Sequence, residues 1–112
     1  MTDLVSQQCS DLSSDTAPFN NEQSSNYLKQ LNPQWQLNQQ EQSISHSYSF
    51  KNYYHTMAFV NVVAQIAHQQ NHHPELTVSY NRCIITYSTH SVDGLSINDF
   101  ICAAKINATQ NI

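Results

Sequence analysis

The hydrophobic period of this chain switches twice, and few folds accept the order that results. It runs at two before Asn52, at about 3.6 from there to Gln70, and at two again after Pro74. Before the first switch, "WQLNQ" and "SISHSYSF" alternate as the two arms of a hairpin. Ile44, His46, Tyr48 and Phe50 share one face of the second arm, and serines take the other. Between the switches, Phe59, Val62, Val63, Ile66 and Ala67 fall at i, i+3, i+4, i+7 and i+8, the apolar stripe of an amphipathic helix from Asn52 to about Gln70. Pro74 stops that helix, because the residue before a proline is pushed out of the α region. Beyond it, "ELTVSY" and "RCIITYSTH" are rich in β-branched and aromatic residues. They predict a second hairpin turning at Asn81-Arg82.

The flanks complete the pattern. Residues 1–20 are polar, serine-rich and aperiodic, which predicts a flexible N-terminal arm outside a single domain over 21–110. A short helix from Asn21 to Leu31 would turn Tyr27, Leu28 and Leu31 inward and end at "NPQW", since Pro33 cannot continue it. "SVDG" turns the chain at Gly94, its one glycine, which suggests a positive φ or a crowded backbone there. Ser96 would cap a last helix from Ile97 to Asn107, with Ile97, Phe100, Ile101, Ala104 and Ala108 on its inner stripe. The order α-β-β-α-β-β-α predicts an α+β domain: a four-stranded, largely antiparallel sheet with helices packed on one face.

Size and charge limit what such a domain can do. A chain of 112 residues builds one modest core, so self-association is a natural way to bury more surface. Four Lys and Arg against eight Asp and Glu leave no basic footprint for nucleic acid and no polybasic segment for a membrane surface. No apolar run has the length of a membrane span, and the N-terminus lacks the basic region and apolar run of a secretory signal, so a cytoplasmic protein is expected. The three cysteines show no CxxC spacing, which argues against both a disulfide framework and a thiolate zinc site. Cys83 and Cys102 read as small buried hydrophobes, Cys9 as an incidental exposed thiol.

The histidines are the chemistry-bearing feature. His72 and His73 directly precede Pro74, and His90 closes the second hairpin. A metal site would draw on His68 and His72, spaced i, i+4, with His73 and His90 completing the shell. Pro74 counts against it by taking His72 and His73 out of the helix, adjacent side chains point apart, and no cysteine or carboxylate stands at a ligand spacing; no metal is expected. Metal-free proton transfer suits imidazole, whose pKa of about 6.5 lets it give or take a proton near neutrality. Asp99, in the first turn of the last helix, is placed to meet an imidazole and raise its pKa. Ser96-x-x-Asp99 is also a capping box, and the two roles are compatible. Histidines that only satisfy local hydrogen bonds remain an equal alternative, and His46 reads that way, as a partly buried strand residue with one hydrogen bond.

His72-His73-Pro74, then Tyr80, His90 and Asp99, resemble the signature of the pterin-4a-carbinolamine dehydratases. That pattern is HHP, an aromatic six residues after the proline, a histidine ten further on, and an aspartate beyond a short turn. "FKNYYHTMAFVNVVAQIAHQQNHHPEL" and "YSTHSVDGLSINDFICAAK" are similar to the bacterial branch, and the likeness covers roughly Leu28 to Asn107. The resemblance implies a hydro-lyase that eliminates water from 4a-hydroxytetrahydropterin (4a-hydroxytetrahydrobiopterin) to give a quinonoid dihydropterin. Such an enzyme recycles the pterin of aromatic amino acid hydroxylases without metal or organic cofactor, as a homodimer or homotetramer. It implies that His72 and His90 move protons at the leaving hydroxyl, and that His73 holds the pterin with a catalytic share. Asp99 would orient or charge His90, and Pro74 would lock the turn. The chain departs from the pattern at His68 and Asn71, where animal members carry glutamate and aspartate, and at Leu76, where many members place a tryptophan that would stack on the pterin. The resemblance also carries an alternative, a dimeric partner-binding or transcriptional coactivator module, since some members pair with a transcription factor.

Overall fold

The computed structural model describes residues 3–110. Alternation of side chains produces the sheet. Strands β1 (Gln36–Asn38), β2 (Ser43–Ser49), β3 (Glu75–Ser79) and β4 (Arg82–Tyr87) pair antiparallel throughout, in the spatial order β1-β2-β4-β3. In β4, Cys83, Ile85 and Tyr87 are buried while Ile84 and Thr86 are only half-buried. The register sets His46 opposite Ile85 and Ile44 opposite Tyr87, so one face of the two central strands is apolar or aromatic. The other face carries Ser45, Ser47 and Ser49, of which Ser47 and Ser49 are exposed.

Three helices, α1 (Asn21–Leu28), α2 (Tyr53–Gln70) and α3 (Ile97–Thr109), complete the expected order, with short 3-10 turns at Leu4–Ser6 and His90–Val92. Asn20 and Gln23 form a reciprocal capping box at the start of α1, and the Asn52 side chain accepts from the His55 N–H at the start of α2. Helix α1 ends three residues before the expected Leu31, which is nevertheless buried. Helix α2 buries Thr56, Phe59, Val63 and Ala67, whereas Val62, expected on the inner stripe, is 38% exposed. Two hydrogen bonds explain why a threonine takes that place: Thr56 Oγ1 bonds the carbonyls of Asn52 and Tyr80 and fastens α2 to the β3–β4 turn. Among the described residues no helix is long and apolar enough to cross a membrane.

Helix α3 is buried on more than one side. Besides Phe100, Ile101 and Ile106, it hides Asn98, Asp99, Cys102 and Ala103, while Ala108, expected inside, is exposed. Residues of the N-terminal arm cover its second side. Leu4 sits in the core, the Lys105 ammonium donates to the Val5 carbonyl, and Ser10 and Asn98 exchange hydrogen bonds. Gly94 has no positive φ; the left-handed residue is Asp93 beside it. Crowding is what selects glycine, because a Cβ at residue 94 would stand 2.8 Å from Pro18 Cβ.

Candidate active site

The end of α2 creates the site. Asn71 takes a left-handed conformation, φ 52°, ψ 43°, and the helix closes as a Schellman motif: the His72 N–H donates to the Ala67 carbonyl and the Asn71 N–H to that of His68. This termination turns the chain out of the helix, so His72 and His73 stand in the link between α2 and β3, as Pro74 requires. Tyr87, at the end of β4, holds His72 from beneath. Its hydroxyl donates to the His72 carbonyl at 3.2 Å, and its ring lies 5.2 Å from the imidazole at an interplanar angle of 24°.

The electrostatic centre is Asp99, which is fully buried. Its Oδ1 is 2.6 Å from His72 Nε2. Its Oδ2 accepts from Thr89 Oγ1 at 2.8 Å and from the Ser96 backbone N–H at 3.0 Å. Because Thr89 gives its proton to the carboxylate, the 2.7 Å contact between Thr89 Oγ1 and Ser96 Oγ must be donated by Ser96. Capping and charge pairing therefore coexist: one carboxylate oxygen closes the helix terminus while the other holds the imidazole. Burial disfavours the charged ring, but the hydrogen bond and the negative charge of Asp99 outweigh it and raise the His72 pKa above its ordinary value. With Nε2–H committed to the carboxylate, Nδ1 is the nitrogen left for a substrate.

Here the structure corrects the expected pairing. Asp99 meets His72, not His90. Strand β4 stops at Tyr87, and His90 begins the following 3-10 turn with its side chain exposed; it joins the network only through Thr89, its neighbour in the chain. His73 is exposed, its Nδ1 3.5 Å from the Pro74 carbonyl. Tyr80 is 64% exposed at the far end of the hairpin. His72, His73, Pro74, His68, Asn71 and Leu76 border a cleft of about 370 Å³. Wider clefts open elsewhere, of about 720 Å³ beside β2 and about 620 Å³ between the arm and Tyr48, but neither sets an imidazole against a carboxylate. Among the described residues no three His, Cys, Asp or Glu side chains converge as a metal-ligand set. Thr89 and Tyr87 carry no sign of these parts in the sequence beyond the alternation of β4, which marks Tyr87 as inward-facing but not as the support of His72.

A central antiparallel sheet, a histidine pair released at a helix terminus and a saturated buried carboxylate set an imidazole–carboxylate pair beside a cleft on an α+β scaffold. A sequence model of the family described as Pterin 4 alpha carbinolamine dehydratase matches residues 17–109, and the chain belongs to that family. Relatives agree over almost the whole length. A Nitrosomonas eutropha protein whose name assigns it to pterin-4-alpha-carbinolamine dehydratase is 50% identical over 94% of this chain and 91% of its own. A Legionella pneumophila protein of the same name is 48% identical over 95% and 94%. The fold is similar to the crystal structure of a transcriptional coactivator/pterin dehydratase from Brucella melitensis, with a TM-score of 0.77, 31% identity, and coverage of 81% of this chain and 96% of that one.

Proposed function

We propose that this protein is a pterin-4a-carbinolamine dehydratase, a hydro-lyase that removes water from 4a-hydroxytetrahydropterin. Family membership over residues 17–109 supports the activity, and the 2.6 Å pairing of His72 with a buried carboxylate is the observation that carries its mechanism. The hydroxyl at C4a leaves poorly unless it is protonated, and the ring must also lose a nitrogen proton to form the quinonoid product. A histidine of raised pKa serves the first need: His72, charged through Asp99, presents Nδ1–H to the leaving oxygen. His90 is the second proton-transfer residue, free of the carboxylate and next in the chain to Thr89, which donates to that carboxylate. His73 and Pro74 shape the rim of the cleft and hold the ring, while Leu76 offers an apolar but not an aromatic surface to it. Asp99 acts through His72 as an orienting group.

The product would feed a reductase and return pterin to an aromatic amino acid hydroxylase in the cytoplasm, with the dehydratase working as a homodimer or homotetramer; the resemblance supports these expectations. The test is dehydration of synthetic 4a-hydroxytetrahydrobiopterin, followed by absorbance, with wild type beside His72→Ala and His90→Ala. Wild type should accelerate the reaction, and each variant should lose roughly 10²–10⁴-fold of the catalysed rate. A wild-type protein that leaves the spontaneous rate unchanged would end this proposal for that pterin and turn attention to a partner-binding role.

A further inference from the structure

Two thiols far apart in the chain lie side by side beneath the site. Cys9 Sγ is 3.6 Å from Cys102 Sγ, across a separation of 93 residues. The arm is held in place around that contact. The Cys9 N–H donates to Gln70 Oε1 at 2.8 Å, Ser10 N–H to Asn98 Oδ1 at 3.2 Å, and the Cys9 thiol lies 3.6 Å from the Asn98 carbonyl. Cys9 is half-buried and Cys102 wholly buried, so the pair has one member a small reagent can reach and one immediately behind it. The expectation of an incidental exposed thiol at residue 9 is therefore corrected.

We propose that Cys9 and Cys102 form a dithiol–disulfide modification site that takes a low-molecular-weight disulfide as its oxidant and ties the arm to α3. The Cys9 thiolate attacks one sulfur of the small disulfide; that S–S bond breaks, and the first small thiol leaves with the proton Cys9 gave up. Cys102 then loses its proton and attacks the Cys9 sulfur of the mixed disulfide, expelling the second small thiol, which takes that proton. Two protein thiols are oxidised by two electrons, one small disulfide is reduced to two thiols, and nothing else is consumed. The local chemistry favours this order. The contact between the two sulfurs lowers the Cys9 thiol below its usual range and, together with burial, raises that of Cys102, so the half-buried thiol is the one that ionises first. Capping Cys9 removes the negative charge that opposes ionisation of Cys102, so the resolving step is released by the first. Sulfur atoms must close from 3.6 Å to about 2.05 Å, which a partner on an arm without helix or strand at residue 9 can follow.

The bond would form next to the acid–base site without using any of its side chains. Cys102 Sγ is 4.0 Å from the His72 carbonyl, the oxygen that Tyr87 also holds, and Gln70, which anchors Cys9, ends α2.

The full chain, fully reduced, is incubated with hydroxyethyl disulfide, acid-quenched, alkylated and weighed intact. Oxidation should remove two of the three alkylatable thiols with no added small-thiol mass, and a peptide map should join the segments holding residues 9 and 102. The melting temperature should rise by several degrees, because the new bond closes a long loop, and fall back with dithiothreitol. Cys9→Ser, on the arm, should lose both effects; Cys83→Ser should keep them. Retention of all three thiols in wild type, a persistent mixed disulfide at Cys9, or a covalent dimer through Cys9 would each overturn the proposal.

Discussion

Two imidazoles in this molecule are withdrawn from solvent, His46 buried and His72 half-buried, and they are opposites. His72 rests on a carboxylate whose other oxygen is already saturated by Thr89 and Ser96. His46, in β2, is 4% exposed, yet among the described residues neither of its ring nitrogens has a hydrogen-bond partner. Its neighbours are aromatic: Tyr48 stacks on it with ring centroids 3.8 Å apart and 7° between planes, and Trp35 meets it edge-on at 5.3 Å. Those neighbours spend their own polar atoms elsewhere, since Tyr48 OH and Trp35 Nε1 both donate to Asn107 Oδ1. The one polar group that reaches the His46 ring is the Ser47 backbone, which falls short of the full hydrogen bond expected. Burial pushes the pKa of His46 down, while the Asp99 pairing carries that of His72 up. One ring is kept neutral as a packing slab and the other is kept ready to carry charge, so burial alone does not say what a histidine is for.

The contrast should break first in the rate. His72→Ala should slow carbinolamine dehydration by roughly 10²–10⁴-fold, as loss of a general acid does, whereas His46→Phe should stay within about threefold of wild type. A large loss in His46→Phe with folding intact would put both rings in the reaction.

Stability separates them next. Asp99→Ala strips His72, Thr89 and Ser96 of their acceptor and should cost about 3–5 kcal/mol in urea unfolding. His46→Phe goes the other way. It removes an unsatisfied buried polar group and keeps the aromatic stack, and should gain on the order of 1 kcal/mol. A destabilised His46→Phe would mean that the ring has a partner in solution, an ordered water being the first to seek.

A smaller change sharpens the comparison without touching either ring. Asn71→Ala must hold φ 52° with no side-chain compensation and should cost about 1 kcal/mol, while Asn71→Gly should be near neutral. Because that turn aims His72 out of α2, Asn71→Ala should also lower the rate of dehydration, and an unchanged rate would show that the turn does not set the ring.

The pH dependence gives the least effect and the clearest signs. For His46, folded-state pKa below the ordinary 6.5 means that the unfolded chain binds the proton first, so stability falls as pH drops below about 6.5 toward the folded value. For His72, with its folded pKa raised, the contribution is fully present below about 6.5 and is lost as pH rises through the folded value. Urea midpoints measured across pH should therefore lose their acid-side slope in His46→Phe and part of their alkaline-side slope in His72→Ala. Identical profiles in the two variants would contradict the assignment.

Much of this architecture was legible in the residues. The double change of period located α2 and both hairpins, and Pro74 placed the histidine pair outside the helix. What stayed hidden depended on contacts distant in the chain. Nothing in the spacing of His72, His90 and Asp99 says which imidazole reaches the carboxylate, because α3 must first pack beside the end of α2. The burial of Asn98, Cys102 and Ala103 was invisible for the same reason: a polar arm with one buried leucine near its start gives no periodic sign that it will lie along α3. Val62 was misplaced because an apolar residue at helical spacing reads as inward-facing whether or not a neighbour covers it.

The scarcity of charge has a consequence for how the molecule meets its solvent. Twelve Lys, Arg, Asp and Glu residues serve the whole chain, and the one ion pair among the described residues is His72 with Asp99, 13% and 0% exposed. Salt screens exposed charges and barely reaches buried ones. Hydration here rests on neutral amides and hydroxyls, such as the serine face of β2 and the glutamines around it, which dissolved ions do not screen. The protein should therefore be nearly indifferent to ionic strength, keeping its acid–base pair and its surface alike in dilute buffer and in brine.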